Sequence, residues 1–489
     1  MESFAWVSPG GAAPVINEDE RLESQGMSFF KAYDMRGEFG VDFDLDTVYR
    51  IGRWLPAVLG ASRILVGRDA RLSSDAIRDA LCRGIIDAGC SVDDMGLATT
   101  PMVYFFTAQE SYDASVQITA SHNPSNHNGM KVSRSGAIPV GYDTGLSELE
   151  QHVLSKSLPL ISKTPGKYAA VRYRDAFVAW LRRYLSDLSG MRFAVDCSDG
   201  MAGLVIRDVL GEGPIYLNEV PDGRFPHHSP NPLEAESRMQ IAEVVRSNRL
   251  DVGVIFDGDA DRVMFVDETG AFVQPDYLIP VIARHFLAQE PGAIVIHDIR
   301  TSRGVIEALQ ADGAKPLMGK VGHAFAKVAM RKTGAVCGGE LAGHYYFRDF
   351  FCCDSGELAA LLVLAAVAKA KRQNLCFSRL MAPICKYANS GERNYRISDK
   401  DGAIKAVLDA VTSAFGSPQS RADFDGVRLD YADGWVNVRK SNTEPYLRLI
   451  VEARDVAVLS QRLALLEKAL APFCERQVDT ERILSHVGS

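Results

Sequence analysis

Short apolar runs recur along almost the whole chain, each followed by a longer stretch of helical periodicity, and this alternation restricts the fold to parallel or mixed sheets covered by helices. Arg63-Ile64-Leu65-Val66-Gly67 precedes a helix opening near Ser73-Ser74, and Arg192-Phe193-Ala194-Val195-Asp196 precedes Gly200-Met201-Ala202-Gly203. Similar runs stand at Asp251 to Phe256 and at Ala293 to Asp298. The repetition predicts an α/β protein of three related mixed domains, although no strict sequence repeat links them. Strand content rises again after Pro383 to Ser390, and a helix over Val458 to Ala471 closes a smaller α+β domain.

A chain of 489 residues accommodates roughly three to four domains of about 100 to 150 residues. The expected division is a flexible extension over 1–27, then domains at 28–165, 166–273, 274–385 and 386–489, the first boundary resting on the Ser-, Lys- and Pro-rich segment Ser155 to Gly166. A net charge of -8 argues against nucleic acid, whose phosphates require clustered Lys and Arg. The longest apolar run, Leu358 to Ala368, is shorter than the roughly 20 residues of a membrane span and reads as a buried helix. Met1 to Met27 lacks the basic and apolar regions of a secretory signal. Nine cysteines without a C-x-x-C pair fit reduced thiols in a cytoplasm.

Four loops carry residues suited to chemistry. Thr119-Ala120-Ser121-His122-Asn123-Pro124 follows the alternating run Ser115 to Ile118, and the Asn-Pro pair forces a turn, so Ser121 is expected exposed on a rigid loop. Asp257-Gly258-Asp259-Ala260-Asp261-Arg262 sets three carboxylates at i, i+2 and i+4 between two apolar strands, where they repel unless a divalent cation joins them. A calcium hand is excluded because Arg262 stands where its sharp turn needs Gly and the flanks read as strands. Three carboxylates leave coordination positions free, as Mg²⁺ sites do when a phosphate supplies the remaining oxygen. Gly338-Gly339-Glu340-Leu341-Ala342-Gly343-His344 places a carboxylate and an imidazole in a glycine frame suited to sugar hydroxyls. Arg439-Lys440-Ser441-Asn442-Thr443-Glu444-Pro445 combines a guanidinium with small donors and suits a phosphate. Nearer the start, Tyr33-Asp34-Met35-Arg36-Gly37 and Gly67-Arg68-Asp69-Ala70-Arg71 offer arginines on turns, read singly as structural ion pairs.

In this order the loops resemble those of the α-D-phosphohexomutase family, in particular its phosphomannomutase and phosphoglucomutase branch, over Phe30 to Arg454. The resemblance implies a central active-site cleft and a mutase that interconverts hexose 6-phosphate and hexose 1-phosphate, mannose first and glucose second, through a phosphoserine and a 1,6-bisphosphate. It makes Ser121 the phosphorylated residue and, with Asp257, Asp259 and Asp261, a ligand of Mg²⁺. Arg36, Lys131 and Arg262 would stabilise the transferring group. Tyr33, Arg300, Glu340 and His344 would contact the sugar phosphate, and Arg439, Ser441, Asn442 and Thr443 would hold the phosphate that does not react. The proton acceptor stays open among His122, His323 and His344. Hexose 1,6-bisphosphate is the implied activator, small hexose phosphates are the partners, and the assembly is a monomer or small homo-oligomer. Two departures stand out: Ala342 replaces the motif's Ser, and Arg300 stands where some members carry Lys. A phosphatase and a non-catalytic sugar-phosphate sensor are the competing readings.

Overall fold

The computed structural model of the chain describes residues 29–155, 157–441 and 446–477; the expected extension over 1–27 lies outside them. The described residues form four separate sheets, and the first three repeat one topology. In each, the earliest of the parallel strands lies centrally with the next two on either side: Arg63–Arg68 between Ser91–Leu97 and Ala114–Ile118, Phe193–Asp196 between Ile215–Leu217 and Val252–Phe256, and Ile294–Asp298 between Lys315–Gly319 and Cys337–Gly339. The chain then folds back antiparallel along the third of these, as His127–Arg134, Val263–Asp267 and Tyr345–Phe347. The loops bearing Ser121, the three aspartates, and Glu340 with His344 are therefore the same hairpin in three related domains. The loop after Arg439 is also a hairpin, between antiparallel Gly434–Lys440 and Tyr446–Ala453 of the fourth sheet.

Local chemistry explains the elements. Val252–Phe256 and Val263–Asp267 are buried along their whole length, which is why they read as unbroken apolar runs. The apolar run at Leu358 lies in helix Gly356–Arg372, opened by Ser355, whose hydroxyl accepts from Leu358 N at 3.1 Å. Both faces of that helix are apolar because it packs against the second sheet and against helix Leu278–Leu287 of the third unit. One continuous core runs from Leu65 and Phe105 of the first unit through Val254 of the second to Leu361 of the third. The fourth unit has its own core, around Val407, Val438 and Leu466.

One expected boundary shifts. Tyr168–Ala170 pairs in parallel with Ser91–Leu97, so the first sheet extends past residue 165. Tyr168 also donates to Asp94 at 2.7 Å, and the Ser- and Pro-rich segment before it is an excursion rather than the end of the unit.

Candidate active site

Ser121 is not exposed: only 3% of it is accessible, which corrects the sequence expectation. Its φ of 50° lies in the left-handed region, a conformation costing a non-glycine residue about 1 kcal/mol or more. Two restraints hold it there. Its amide donates to Thr119 Oγ1 at 2.8 Å, and the buried guanidinium of Arg71 donates to the carbonyls of Ser121 at 2.9 Å, Asn123 at 2.6 Å and His127 at 3.0 Å. Arg71 is paired with Asp69 at 3.1 Å, so that arginine is structural, as its sequence context suggested. The aspartate loop covers the serine from the second domain: a Cβ at Gly258 would meet Ser121 O at 2.6 Å, so only glycine allows this approach.

The Ser121 hydroxyl donates to Asp257 Oδ2 at 2.9 Å and accepts from Arg262 Nη2 at 3.1 Å, with His122 Nδ1 at 3.3 Å. Asp257, Asp259 and Asp261 each offer an oxygen within 4.8 Å of the others. Lys131 Nζ lies 2.7 Å from Asp259 and 2.5 Å from Asp261, and Arg262 lies 2.8 Å from Asp257. Thr100 adds a 2.6 Å bond to Asp259. Three carboxylates thus face two cations, and among the described residues Asp259 Oδ1 and Asp261 Oδ1 are buried without a hydrogen-bond donor. That residual charge and those orphaned oxygens fit a divalent cation of the Mg²⁺ type. Burial raises Asp257 to about 7 against the pull of Arg262, with the neighbouring carboxylates adding to the rise. Burial would lift the other two as well, but Lys131 holds Asp259 and Asp261 below the usual carboxylate range.

The third hairpin meets the second directly, since Arg262 and His344 form an isolated antiparallel bridge. Burial would lower the His344 imidazole, but Asp261 and Asp354 offset it and hold it above its ordinary value. His344 Nδ1 lies 2.7 Å from Asp354 Oδ2, and Asp354 Oδ1 lies 2.7 Å from Lys327 Nζ, a fully buried lysine. Glu340 is 3% exposed and accepts from Tyr346 at 2.6 Å. Burial first, and then Asp298, push its carboxyl upward. His323 opens helix His323–Thr333, its Nδ1 buried without a hydrogen-bond partner among the described residues and its ring centroid 5.9 Å from that of His344. Burial and then Lys327 hold His323 well below its ordinary value. Tyr33 stands edge-on to His323, with its hydroxyl 3.4 Å from Val321 O. Arg36 pairs with Asp34 at 2.5 Å and donates to Asn123 at 3.1 Å.

At the far end Arg300 pairs with Asp298 at 2.8 Å, and Arg439 and Ser441 are each 2% exposed. Asn442 and Thr443 lie outside the described residues. Glu392, which stands in none of the motif loops, accepts from Arg448 at 2.7 Å, Arg300 at 3.2 Å and Arg439 at 3.3 Å. Asp354 and Lys327 also escaped sequence reasoning, because neither lies in one of the four motif loops. One cavity of about 780 Å³ collects residues from all four units, including Arg36, Ser121, Arg262, His344, Glu392 and Arg439.

Comparison with known proteins agrees with this arrangement. Models of the four domains of phosphoglucomutase/phosphomannomutase match in order, domain I over 27–159, II over 172–270, III over 274–383 and the C-terminal domain over 392–468. A phosphomannomutase of Escherichia coli K12 is 38% identical over 452 residues, which are 89% of this chain and 97% of that one. One from Vibrio cholerae is 35% identical over 463 residues, 91% of this chain and 98% of its own. Among solved structures, a phosphoglucomutase/phosphomannomutase family protein from Burkholderia thailandensis superposes with a TM-score of 0.83 at 28% identity, covering 91% of this chain and 97% of that one.

Proposed function

The chain belongs to the phosphoglucomutase/phosphomannomutase family, and from that premise we propose that it interconverts hexose 6-phosphate and hexose 1-phosphate, with mannose phosphate as the preferred substrate. The observation that carries the reading is the Ser121 hydroxyl, buried against Asp257 and Arg262 yet lining a cavity built by all four domains. A phosphate cannot pass between O1 and O6 of one sugar in a single step, so an enzyme-bound carrier is required. Phospho-Ser121 would donate its phosphoryl group to the free sugar hydroxyl, giving a 1,6-bisphosphate that turns end for end and returns the other group. Free hexose 1,6-bisphosphate would then act as activator by recharging a serine that has lost its phosphate. The name carried by the curated relatives supports mannose; Ala342, which lacks the hydroxyl of the usual Ser, leaves glucose as the second substrate.

The roles follow from placement. Asp257, Asp259 and Asp261 would hold Mg²⁺ together with an oxygen of the Ser121 phosphate, and the ion would neutralise charge on the transferring group. As the bond from phosphorus to Ser121 Oγ breaks and the bond to the sugar oxygen forms, Arg262, 3.1 Å from Oγ, meets the charge left on the serine. Lys131 and Arg36, which line the same cavity, would meet charge on the oxygens of the transferring group. Of the three histidines, His344 has the partner a proton acceptor needs: ionised Asp354 accepts from Nδ1 and leaves Nε2 free to take the proton of the sugar hydroxyl. His122 is bonded to Ser121 itself, and His323 Nδ1 has no hydrogen-bond partner among the described residues to fix its tautomer. Glu340 would accept from two sugar hydroxyls, with Tyr33 and His323 beside the ring, and Arg300, Arg439 and Ser441 would grip the distal phosphate. Nine thiols without a disulfide support a reducing, cytoplasmic setting.

The direct test measures turnover of mannose 1-phosphate and glucose 1-phosphate with Mg²⁺ and a trace of the corresponding 1,6-bisphosphate. Isomerisation with the higher kcat/KM on mannose 1-phosphate is expected. Release of inorganic phosphate in place of the 6-phosphate isomer would replace the mutase with a phosphatase.

A further inference from the structure

The distal clamp contains its own anion. Arg439 and Arg448 are direct partners across antiparallel strands, an arrangement in which two like charges repel. Glu392, which immediately precedes strand Arg393–Ile397, reaches between them, Oε1 to Arg448 at 2.7 Å and Oε2 to Arg439 at 3.3 Å. The same Oε2 reaches Arg300 of the third domain at 3.2 Å. Burial would raise the Glu392 carboxyl, yet Arg439, Arg300 and Arg448 hold it far below its ordinary range, so it is ionised. Its side chain is 17% exposed and lines the central cavity. A carboxylate gripping three guanidiniums in the cavity does for them what a bound phosphate would do.

We propose that Glu392 is an internal counter-anion of the phosphate clamp, a positioning and affinity-setting residue that keeps the three arginines assembled and weakens their hold on the substrate phosphate. Arg300 already has Asp298 at 2.8 Å, with Glu340 farther off at 3.8 Å, so among the described residues Glu392 is the carboxylate that the three guanidiniums share. Without Glu392 the clamp would meet a phosphate dianion with one more unit of positive charge. The inference rests on the mutase reading in one respect, since a clamp that must release one phosphate and take the other during each turnover needs a moderated grip. A carboxylate that competes for the same guanidiniums supplies that moderation at every exchange.

The test compares the wild-type chain with Glu392→Gln and Glu392→Asp, all with Mg²⁺, measuring calorimetric affinity for inorganic phosphate and for glucose 1,6-bisphosphate beside kcat and KM. Removing one negative charge at contact distance should tighten both ligands by about tenfold or more. KM should fall while kcat also falls, because exchange of the bisphosphate becomes slower. Equal or weaker binding by Glu392→Gln would overturn the proposal, showing a carboxylate that only braces the arginines. In Glu392→Asp the shortened carboxylate reaches the arginines less well, and binding should tighten about two- to threefold; weakening there overturns the proposal even where the Gln variant does not fold. Arg439→Ala added to Glu392→Gln should abolish the gain, and a gain that persists would place the probe elsewhere and overturn the assignment. Tightened phosphate binding in a chain that isomerises no hexose phosphate would leave the clamp inference standing and remove the mutase reading.

Discussion

The cavity has two charged ends built to different rules. At the serine end Ser121, the three aspartates, Lys131 and Arg262 are each at most 5% exposed, and the domains that supply them are joined by an apolar core that runs across both, beside a further cluster of each domain's own. At the clamp end Glu392 and Arg448 are each 17% exposed although Arg439 and Ser441 are as buried as the serine end, and the fourth domain, with a core of its own, meets the third through polar contacts. Arg428 donates to the carbonyls of Ile299 at 2.7 Å and Thr301 at 2.8 Å, and Arg303 N donates to Glu452 at 2.9 Å. Apolar packing is volume-sensitive and resists displacement, whereas hydrogen-bonded junctions exchange partners at little net cost. The serine end is therefore suited to hold a reactive phosphoryl group in one geometry while water is excluded, and the clamp end to let go and grip again.

The contrast breaks most visibly at the serine. Ser121→Ala removes the proposed carrier, and mutase kcat should fall by about 10⁴-fold or more, the scale at which loss of a covalent catalytic group is felt. Turnover near the wild-type rate would refute the phosphoserine role. Asp259→Asn comes next, because Asp259 is bonded at once to Lys131 and Thr100 and carries one of the two orphaned oxygens. A loss of about 10²- to 10³-fold in kcat is expected, on the scale of one electrostatic contact to the transition state. The Mg²⁺ concentration needed for half activity should rise in the same variant, and an unchanged requirement would move the metal away from this loop.

The clamp should answer differently. Arg439→Lys keeps the charge but loses the planar fork that holds a phosphate by two parallel bonds. KM for hexose phosphate should rise by about 10- to 100-fold with kcat held within a few-fold. A fall in kcat without a change in KM would show the two ends to be mechanically one.

How much of this was legible follows the range of the interactions. The alternation of apolar runs and helical segments predicted the layered domains because each run is buried by its own sheet. The equivalence of the three chemical hairpins was hidden, since it lies in the order and direction of strands and in no shared residue. The motif loops were readable because neighbouring residues act together, as in Asp257 to Arg262. The burial of Ser121 was not, because it depends on Gly258 approaching from another domain. Glu392 gave no local signal either: its partners are 92, 47 and 56 residues away. Lys327 sits within an ordinary helical pattern, where a lysine usually reads as solvated, and only the fold shows it to be fully buried against Asp354 and the Tyr104 ring at 3.6 Å.

The last effect is read on stability and not on rate, at the junction on which the clamp hangs. His297, 2% exposed on strand Ile294–Asp298, is held down to about 4 by burial, with the Arg428 guanidinium from the fourth domain adding to the fall. The imidazole is therefore neutral in the folded protein and titrates near 6.5 when the chain unfolds. Between those values the unfolded state binds more protons, so stability is complete above about pH 6.5 and declines as the pH falls toward 4, by roughly 3 kcal/mol for this group. His297→Gln removes the titration, and its thermal midpoint should vary less between pH 7 and pH 4.5 than that of the wild type. Because the charge would arise beside Arg428, the loss should appear first as looser docking of the fourth domain, read as proteolysis within residues 383–392 before the shared core opens. Cleavage that instead begins within the first three domains at the same pH would show the apolar end of the molecule to be the weaker one and reverse the comparison.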